Sequence, residues 1–191
     1  MPTRPWSTIN HKVSPERLAR IEVEVATIVD GTVRNWLRGY GAPIVQAAST
    51  EQPAPPLEEL VALGLRLTHT DASVARAMPI VLWRNRARLR FDELTRVARL
   101  EGEGATLGLF LDLTSQLTND GELGEVARTL EDTRAPATTF FFTGAAATAA
   151  GRELAETRTP AVARRWRFLM NMPFESFETL FRKHIGAHGS R

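Results

Sequence analysis

Apolar residues recur every three or four positions along most of this chain, which is the spacing of one face of an α-helix. The first such stripe follows Ser14 and Pro15, a pair typical of a helix N-terminus because serine caps free amides and proline suits the first turn. The stripe consists of Leu18, Ile21, Val25 and Ile28. The helix either ends near Gly31 or tolerates that glycine and extends to about Leu37.

Proline content and helical density divide the chain into three parts. Residues 49–56 hold three prolines and no large apolar residue, which is typical of a linker. We therefore predict an N-terminal leader and amphipathic helical arm over residues 1–48. The body of the protein then covers residues 57–191.

Helical spacing predominates in the body. Residues 57–67 are apolar almost all round, which indicates a helix buried in the core. Pro79 is expected to kink or restart the helix that begins after Asp71, because proline lacks an amide donor. The segment Pro136–Gly151 has no decisive period, so helix, strand and loop all stay open for it. About eight helices and no convincing set of strands predict an all-α multi-helix bundle.

The composition excludes several classes of protein. The chain is 43% hydrophobic and 24% charged, which is typical of a globular protein rather than a disordered one. It has no cysteine, which excludes disulfides, thiolate metal sites and cysteine nucleophiles. No apolar stretch is long enough to span a bilayer, and the N-terminus lacks the apolar core of a signal peptide. We expect a cytoplasmic protein.

Motifs for catalysis and metal binding are scarce. The chain has no G-x-S-x-G, Walker A, G-x-G-x-x-G or H-E-x-x-H sequence. One enzymatic alternative is Arg182 with His188, whose spacing resembles that of small all-α ribonuclease toxins of the HEPN superfamily. Such a pair can bind a phosphate and move a proton at the 2′-hydroxyl of RNA. We favour a protein with no catalytic residue, no metal and no cofactor.

Two groups of arginines are candidate binding surfaces. Lys12 and Lys183 are the only lysines among 24 basic residues, and the pI is about 9.6 although the net charge is only +2. The first group alternates through the sequence WRNRARLR and consists of Arg84, Arg86, Arg88 and Arg90. The second group surrounds an aromatic residue and consists of Arg164, Arg165, Trp166 and Arg167. Such groups can bind phosphates and bases, meet an acidic protein, or cover apolar neighbours.

Two stretches resemble bacterial antitoxins. The opening Arg4–Glu22, with Trp6 and a helix that begins at Ser-Pro-Glu, resembles the leader ahead of the helix-turn-helix in some Xre-type antitoxins. Residues 57–117 are similar to the C-terminal part of AbiEi-type antitoxins, in which an acidic and apolar helix (here 91–100) leads into a Leu-Gly-x-x-Leu helix (here 107–111). Those antitoxins counteract nucleotidyltransferase toxins. The resemblance thus implies an antitoxin whose cognate partner is a toxin enzyme.

These observations predict an antitoxin-like accessory protein of a bacterial toxin–antitoxin or phage-defence operon. It is expected to bind and neutralise a toxin enzyme, and the sequence indicates no oligomeric state. The predicted partner-binding residues are Trp6, Leu18, Ile21, Val25, Arg84, Arg86, Arg88 and Arg90. The alternatives are a nucleic-acid-binding regulator that uses the second arginine group and a ribonuclease that uses Arg182 and His188.

Overall fold

The computed structural model describes residues 29–45 and 53–186, and these residues form a helical bundle. Nine α-helices lie within them: α1 (29–39), α2 (Leu57–Leu67), α3 (Ala72–Asn85), α4 (Phe91–Leu100), α5 (Gly104–Thr118), α6 (Gly121–Arg128), α7 (Ala149–Arg158), α8 (Ala161–Arg165) and α9 (Phe174–Ile185). Strands β1 (Thr139–Phe140) and β2 (Phe168–Leu169) have two residues each. The prediction of an all-α multi-helix bundle is confirmed.

Local sequence signals set where most of these helices begin. The side chains of Asp71, Asp120 and Thr148 accept backbone amides in the first turns of α3, α6 and α7, which satisfies donors that have no partner within a helix. Helices α2, α8 and α9 each follow a proline, whose fixed φ suits the entry to a helix. Asn119 ends α5 in the left-handed conformation.

Helix α5 lies at the centre of the core and packs against α2, α3, α4, α6 and α8. Most of its side chains are buried, among them Phe110. Gly108 allows the closest approach, because the indole ring of Trp166 occupies the space where a β-carbon would stand. The tryptophan itself is only 1% exposed. The glycine of the Leu-Gly-x-x-Leu pattern therefore leaves the space in which the Trp166 side chain packs.

Residues 29–45, which belong to the predicted arm, pack into the same core as the body. Leu37 is fully buried, and its methyl groups lie against Gly64 in α2. The Nδ2 group of Asn85 in α3 donates to the carbonyl oxygen of Tyr40 at 2.9 Å. Helix α1 includes Gly31, and the predicted start of the arm helix at Ser14 lies outside the described residues. The predicted contact residues Trp6, Leu18, Ile21 and Val25 lie outside the described residues.

The segment from Pro136 to Gly151 forms β1, a short 3₁₀ turn and the start of α7. Strand β1 pairs in parallel with β2, and the amide of Phe141 donates to the carbonyl oxygen of Leu169 at 2.8 Å. The ring of Phe141 is fully buried and lies edge-on to those of Phe110 and Phe168. The pairing thus places an aromatic side chain in the core between α5 and β2.

Of the two effects expected of Pro79, a kink or a restart of the helix, the restart does not occur. Helix α3 is continuous from Ala72 to Asn85 with Pro79 inside it. The proline is buried together with Met78 and Ile80 on either side, so packing against the core holds the helix through the position where one backbone hydrogen bond is lost.

We predict that Gly108→Ala destabilises the protein although alanine favours helix more than glycine does. The added methyl group overlaps the Trp166 indole, and overpacking of a core typically costs about 1–3 kcal/mol. Urea denaturation followed by circular dichroism measures the change in the free energy of unfolding. Gly121→Ala in α6 is the control, because nothing lies within 4 Å of the carbon it adds. Equal stability of the two variants would contradict the packing of Trp166 on α5.

Candidate functional site

The first arginine group lies at the end of α3 and in the turn that leads to α4. All four side chains are exposed, but two of them connect helices. Arg84 donates from Nη1 to the carbonyl oxygen of Gly41 and from Nη2 to that of His184, both at 2.9 Å. It thus joins the loop after α1 to the last turn of α9, where free carbonyl groups favour a cation.

Arg90 has a similar role at the start of α4. Its backbone amide donates to Oε1 of Glu58 at 3.0 Å, and its Nε donates to the same oxygen at 3.4 Å. Glu58 is buried at the start of α2. The hydrogen bond from the Arg90 amide is the main reason that the pKa of Glu58 lies below its usual value. Arg90 therefore holds α2 and α4 together.

Arg86 and Arg88 form a different kind of pair. The guanidinium carbon of Arg86 lies 3.7 Å from the centre of a Trp83 ring, and that of Arg88 lies 5.2 Å from the centre of the Tyr40 ring. Within residues 29–45 and 53–186, neither arginine has a carboxylate oxygen within 4.0 Å. We call Tyr40, Trp83, Arg86 and Arg88 the Arg–aromatic surface.

Asn85 fixes the backbone beneath this surface. Its buried side-chain amide donates to the carbonyl oxygens of Val81 and Tyr40, at 2.8 and 2.9 Å. These bonds end α3 beside the loop that carries Tyr40, and Leu89 anchors the following turn in the core. Arg86 and Arg88 are the first and last residues of the turn that follows α3. Rings from two separate segments are thereby brought under neighbouring guanidinium groups.

The second arginine group does not surround an exposed aromatic ring. The indole of Trp166 lies in the core, donates from Nε1 to Oδ2 of Asp112 at 3.0 Å, and has the Arg134 guanidinium 4.7 Å from its ring centre. Stacking of a nucleic-acid base on this ring, one of the contacts open to the regulator alternative, has no exposed ring surface on which to occur. The sequence did not indicate that this ring packs against Gly108.

The three arginines of this group are exposed but bonded within the molecule. Arg164 donates to the carbonyl oxygen of Glu156, Arg165 pairs with Asp112, and Arg167 donates to the carbonyl oxygen of Ala135. Arg167 also has a φ of 59°, a left-handed conformation that is uncommon outside glycine. These contacts hold the turn between α8 and β2, and phosphate binding by the three side chains stays a prediction.

A histidine cluster that the sequence analysis did not single out connects three elements. The Nδ1 atom of His69 lies 2.7 Å from the carbonyl oxygen of Phe141, and its Nε2 lies 3.2 Å from Oε2 of Glu103 and 3.1 Å from Oγ1 of Thr106. A carbonyl and a carboxylate only accept hydrogen bonds, so the protonated ring can donate to both, from Nδ1 and from Nε2. The partners lie 34 and 72 residues away, so no local pattern could have indicated this cluster.

The two charged groups of the cluster stabilise each other. Burial opposes charge on His69, but the hydrogen bonds to Glu103 and Phe141 outweigh burial and raise the pKa of His69. Burial also opposes charge on Glu103, but bonds from His69 and Thr106 outweigh it and lower the pKa of Glu103. Both ring nitrogens lie within hydrogen-bond distance of protein groups. The arrangement is that of an ion pair that connects distant segments of the chain.

The residues of the ribonuclease alternative are only partly described. Arg182 is paired with Glu178 at 2.7 Å, and His188 lies outside the described residues. His184 also lies on α9, and burial and the charges of Lys183 and Arg84 lower its pKa. In the part of the chain that the structure covers, no group of three histidine, aspartate or glutamate side chains could hold a metal ion, and no helix is long and apolar enough to cross a membrane.

Comparison of the chain with protein-family models, with curated proteins and with solved structures finds no match in any of the three. The resemblance to antitoxins therefore stays a prediction from the sequence. The arginines of the Arg–aromatic surface are not paired with acids of the described residues, although Arg86 also donates from Nη1 to the carbonyl oxygen of Trp83 at 2.9 Å, so this surface can meet an acidic group without breaking an ion pair.

We predict that the stability of the protein depends on pH through the His69 cluster. The pKa of His69 is raised on folding from its ordinary value of 6.5, so its contribution is complete below that value and is lost as the pH rises through the folded pKa. The pKa of Glu103 is lowered, so its contribution is present above 4.5 and is lost as the pH falls through its folded pKa. Thermal unfolding across this range should therefore show a stability maximum between the two folded pKa values.

The variant His69→Gln should lose the decline on the alkaline side, while the control His184→Gln should keep it. Nuclear magnetic resonance titration of the histidine rings gives the folded pKa directly. A His69 pKa at or below 6.5 would show that the ion pair with Glu103 does not form.

Proposed function

We propose that this chain is a cytoplasmic, antitoxin-like binding protein that neutralises a partner enzyme and does no chemistry of its own. The observation that carries the proposal is the pair of guanidinium groups, Arg86 and Arg88, that lie over aromatic rings without a carboxylate partner among the described residues. The antitoxin resemblance supports the same class of function from the sequence.

The chemistry of the Arg–aromatic surface suits recognition of acidic groups. Arginine, tryptophan and tyrosine are the residues most enriched among those that dominate binding energy at protein interfaces. A guanidinium that lies over a ring keeps N–H groups that can match the oxygens of a carboxylate. Stacking also restricts the side chain before binding, so less conformational entropy is lost when the complex forms.

An acidic enzyme site is a fitting target for such a surface. Enzymes that transfer nucleotidyl groups hold Mg²⁺ through one or two carboxylates. A partner that covers those carboxylates with arginines would compete with the metal and block the substrate. This provides a physical route from the Arg–aromatic surface to neutralisation of a nucleotidyltransferase toxin.

Two observations favour a protein partner over a nucleic acid. The tryptophan of the second arginine group lies in the core, which removes an expected stacking platform. Most other arginines of the described residues are bonded to acids or carbonyl groups of the chain. The net charge is only +2. Nucleic-acid binding, by contrast, needs basic residues clustered on one face.

We predict that Arg86→Ala combined with Arg88→Ala weakens partner binding at least tenfold, or by about 1.4 kcal/mol. The matched control is Arg128→Ala combined with Arg152→Ala, which removes two exposed arginines from α6 and α7. Tagged versions of the protein are used to capture partners from nuclease-treated native lysate, and calorimetry then measures their affinity for the captured partner. Equal affinities of the two double variants would place the interface elsewhere.

We also predict that binding to DNA and RNA is weak and disappears between about 50 and 200 mM salt, because few phosphate contacts are available and counterion release makes them sensitive to salt. Fluorescence anisotropy with a labelled duplex and a labelled single-stranded RNA measures this. Tight binding at physiological salt that is lost on replacing Arg164, Arg165 and Arg167 with alanine would instead support the regulator.

A further inference from the structure

The hydroxyl group of Thr106 lies between the two charged groups of the His69 cluster. Its Oγ1 is 3.1 Å from Nε2 of His69, and the same side chain forms a hydrogen bond with Glu103. Thr106 is buried in the first turn of α5. A hydroxyl group has a single proton, so it can donate to the carboxylate or to the ring nitrogen but not to both at once.

When His69 is protonated, every group of the cluster has a partner of the right kind. Nδ1 donates to the carbonyl oxygen of Phe141 at 2.7 Å, and Nε2 donates to Oε2 of Glu103 at 3.2 Å. The hydroxyl proton of Thr106 is then free to point at Glu103 as well. The carboxylate accepts from two donors, which joins the loop between α2 and α3 to the start of α5.

The neutral ring has only one proton, and its partners determine which nitrogen keeps it. The carbonyl group of Phe141 can only accept, so a ring without a proton on Nδ1 would place two lone pairs 2.7 Å apart. Nε2 has an alternative, because Thr106 can turn its hydroxyl proton from the carboxylate to that nitrogen. The arrangement therefore favours the neutral form that has its proton on Nδ1.

Loss of that one proton takes both donors of the cluster away from Glu103. Its carboxylate is buried, and an unpaired buried charge carries a large desolvation cost. Burial opposes charge on Glu103, but its hydrogen bonds and the charge of Arg66 on α2 together lower its pKa. The guanidinium of Arg66 is mostly exposed and lies 3.9 Å from Glu101. It is a cation toward which the carboxylate of Glu103 can turn.

On the opposite side of the His69 ring, the strands present aromatic groups without charge. The ring of Phe141 lies 4.5 Å from the imidazole and that of Phe168 lies 6.3 Å from it, measured between ring centres. The charged groups that act on the cluster are thus Glu103 from α5 and Arg66 from α2, with Glu101 beside the latter.

We propose that the His69 cluster is a pH-dependent switch in which the ring loses its Nε2 proton, Thr106 turns its hydroxyl proton to the ring, and Glu103 is released toward Arg66. The proton passes to water, since the side chain of His69 is 23% exposed. The ring stays bonded to Phe141 in both states, and the amide of Thr143 continues to donate to the carbonyl oxygen of His69 at 3.1 Å. The switch thus frees the start of α5 and keeps the contact with the segment after β1. It does not rest on the proposed function.

Nuclear magnetic resonance of the full chain with ¹⁵N-labelled histidine tests which nitrogen keeps the proton. The chain has four histidines, and His69→Gln identifies the signals of this ring. Above the pKa of His69, the expected neutral ring has its proton on Nδ1 and none on Nε2. A neutral ring with its proton on Nε2 would overturn the proposal, because Glu103 would then keep its donor.

Thr106→Val tests the role of the hydroxyl group. Without that proton, Nε2 of the neutral ring faces the carboxylate of Glu103 with no donor between them. The pKa of His69 should therefore rise by at least about 0.5, or about threefold in proton affinity. Thr106→Ser keeps a hydroxyl group and should restore the wild-type pKa. The matched control is Thr114→Val, which removes the hydroxyl group of another buried threonine of α5 and should leave the pKa of His69 unchanged.

Circular dichroism establishes that these variants keep the wild-type helix content. A pKa of His69 that is the same in Thr106→Val as in the wild type would overturn the proposal. So would a change in Thr106→Ser as large as that in Thr106→Val.

The destination of Glu103 is tested at Arg66. The Nε–H signal of Arg66 should shift at the pH at which His69 titrates, because the released carboxylate turns toward this guanidinium. In Glu103→Gln that shift should disappear, while His69 still titrates. An Arg66 signal that does not follow His69 in the wild type, or that follows it equally in Glu103→Gln, would overturn the proposal.

Discussion

The packing of Trp166 on Gly108 is the contact on which much of the remaining structure depends. It seats the end of α8 on the central helix and so sets the position of β2, which follows two residues later. Strand β2 then positions β1, whose neighbour Phe141 provides the carbonyl oxygen for His69. One glycine in α5 thus connects the C-terminal third of the chain to the loop between α2 and α3.

The parts of the fold that could be predicted are those with local signals. Asp71 caps α3, and Pro160 and Pro173 precede α8 and α9, as their sequences indicate. Helix α8 ends at Arg165. It ends there because Trp166 enters the core and the next residues pair with β1, a contact between distant segments that periodicity does not record.

The sequence indicated only part of the candidate site. Alternating arginines in WRNRARLR pointed to this surface, but their division into two roles depends on partners far away along the chain. Arg90 bonds to a carboxylate 32 residues earlier, and Arg84 bonds to carbonyl oxygens 43 and 100 residues away. The ring of Tyr40 beneath Arg88 comes from the loop after α1. Only the packed structure shows which guanidinium groups are already occupied.

Charge pairing within the fold gives the two stacked arginines their significance. Each acid with a largely buried side chain has a cation beside it: Glu58 has Arg90, Asp71 has Arg34, Glu103 has His69 and Asp112 has Arg165. These pairs are needed because an unpaired charge in the interior carries a large desolvation cost. Arg86 and Arg88 are exposed and carry no such cost. Their charge compensates no buried acid of the described residues, so it is available to offset the desolvation of an acidic group that arrives from outside.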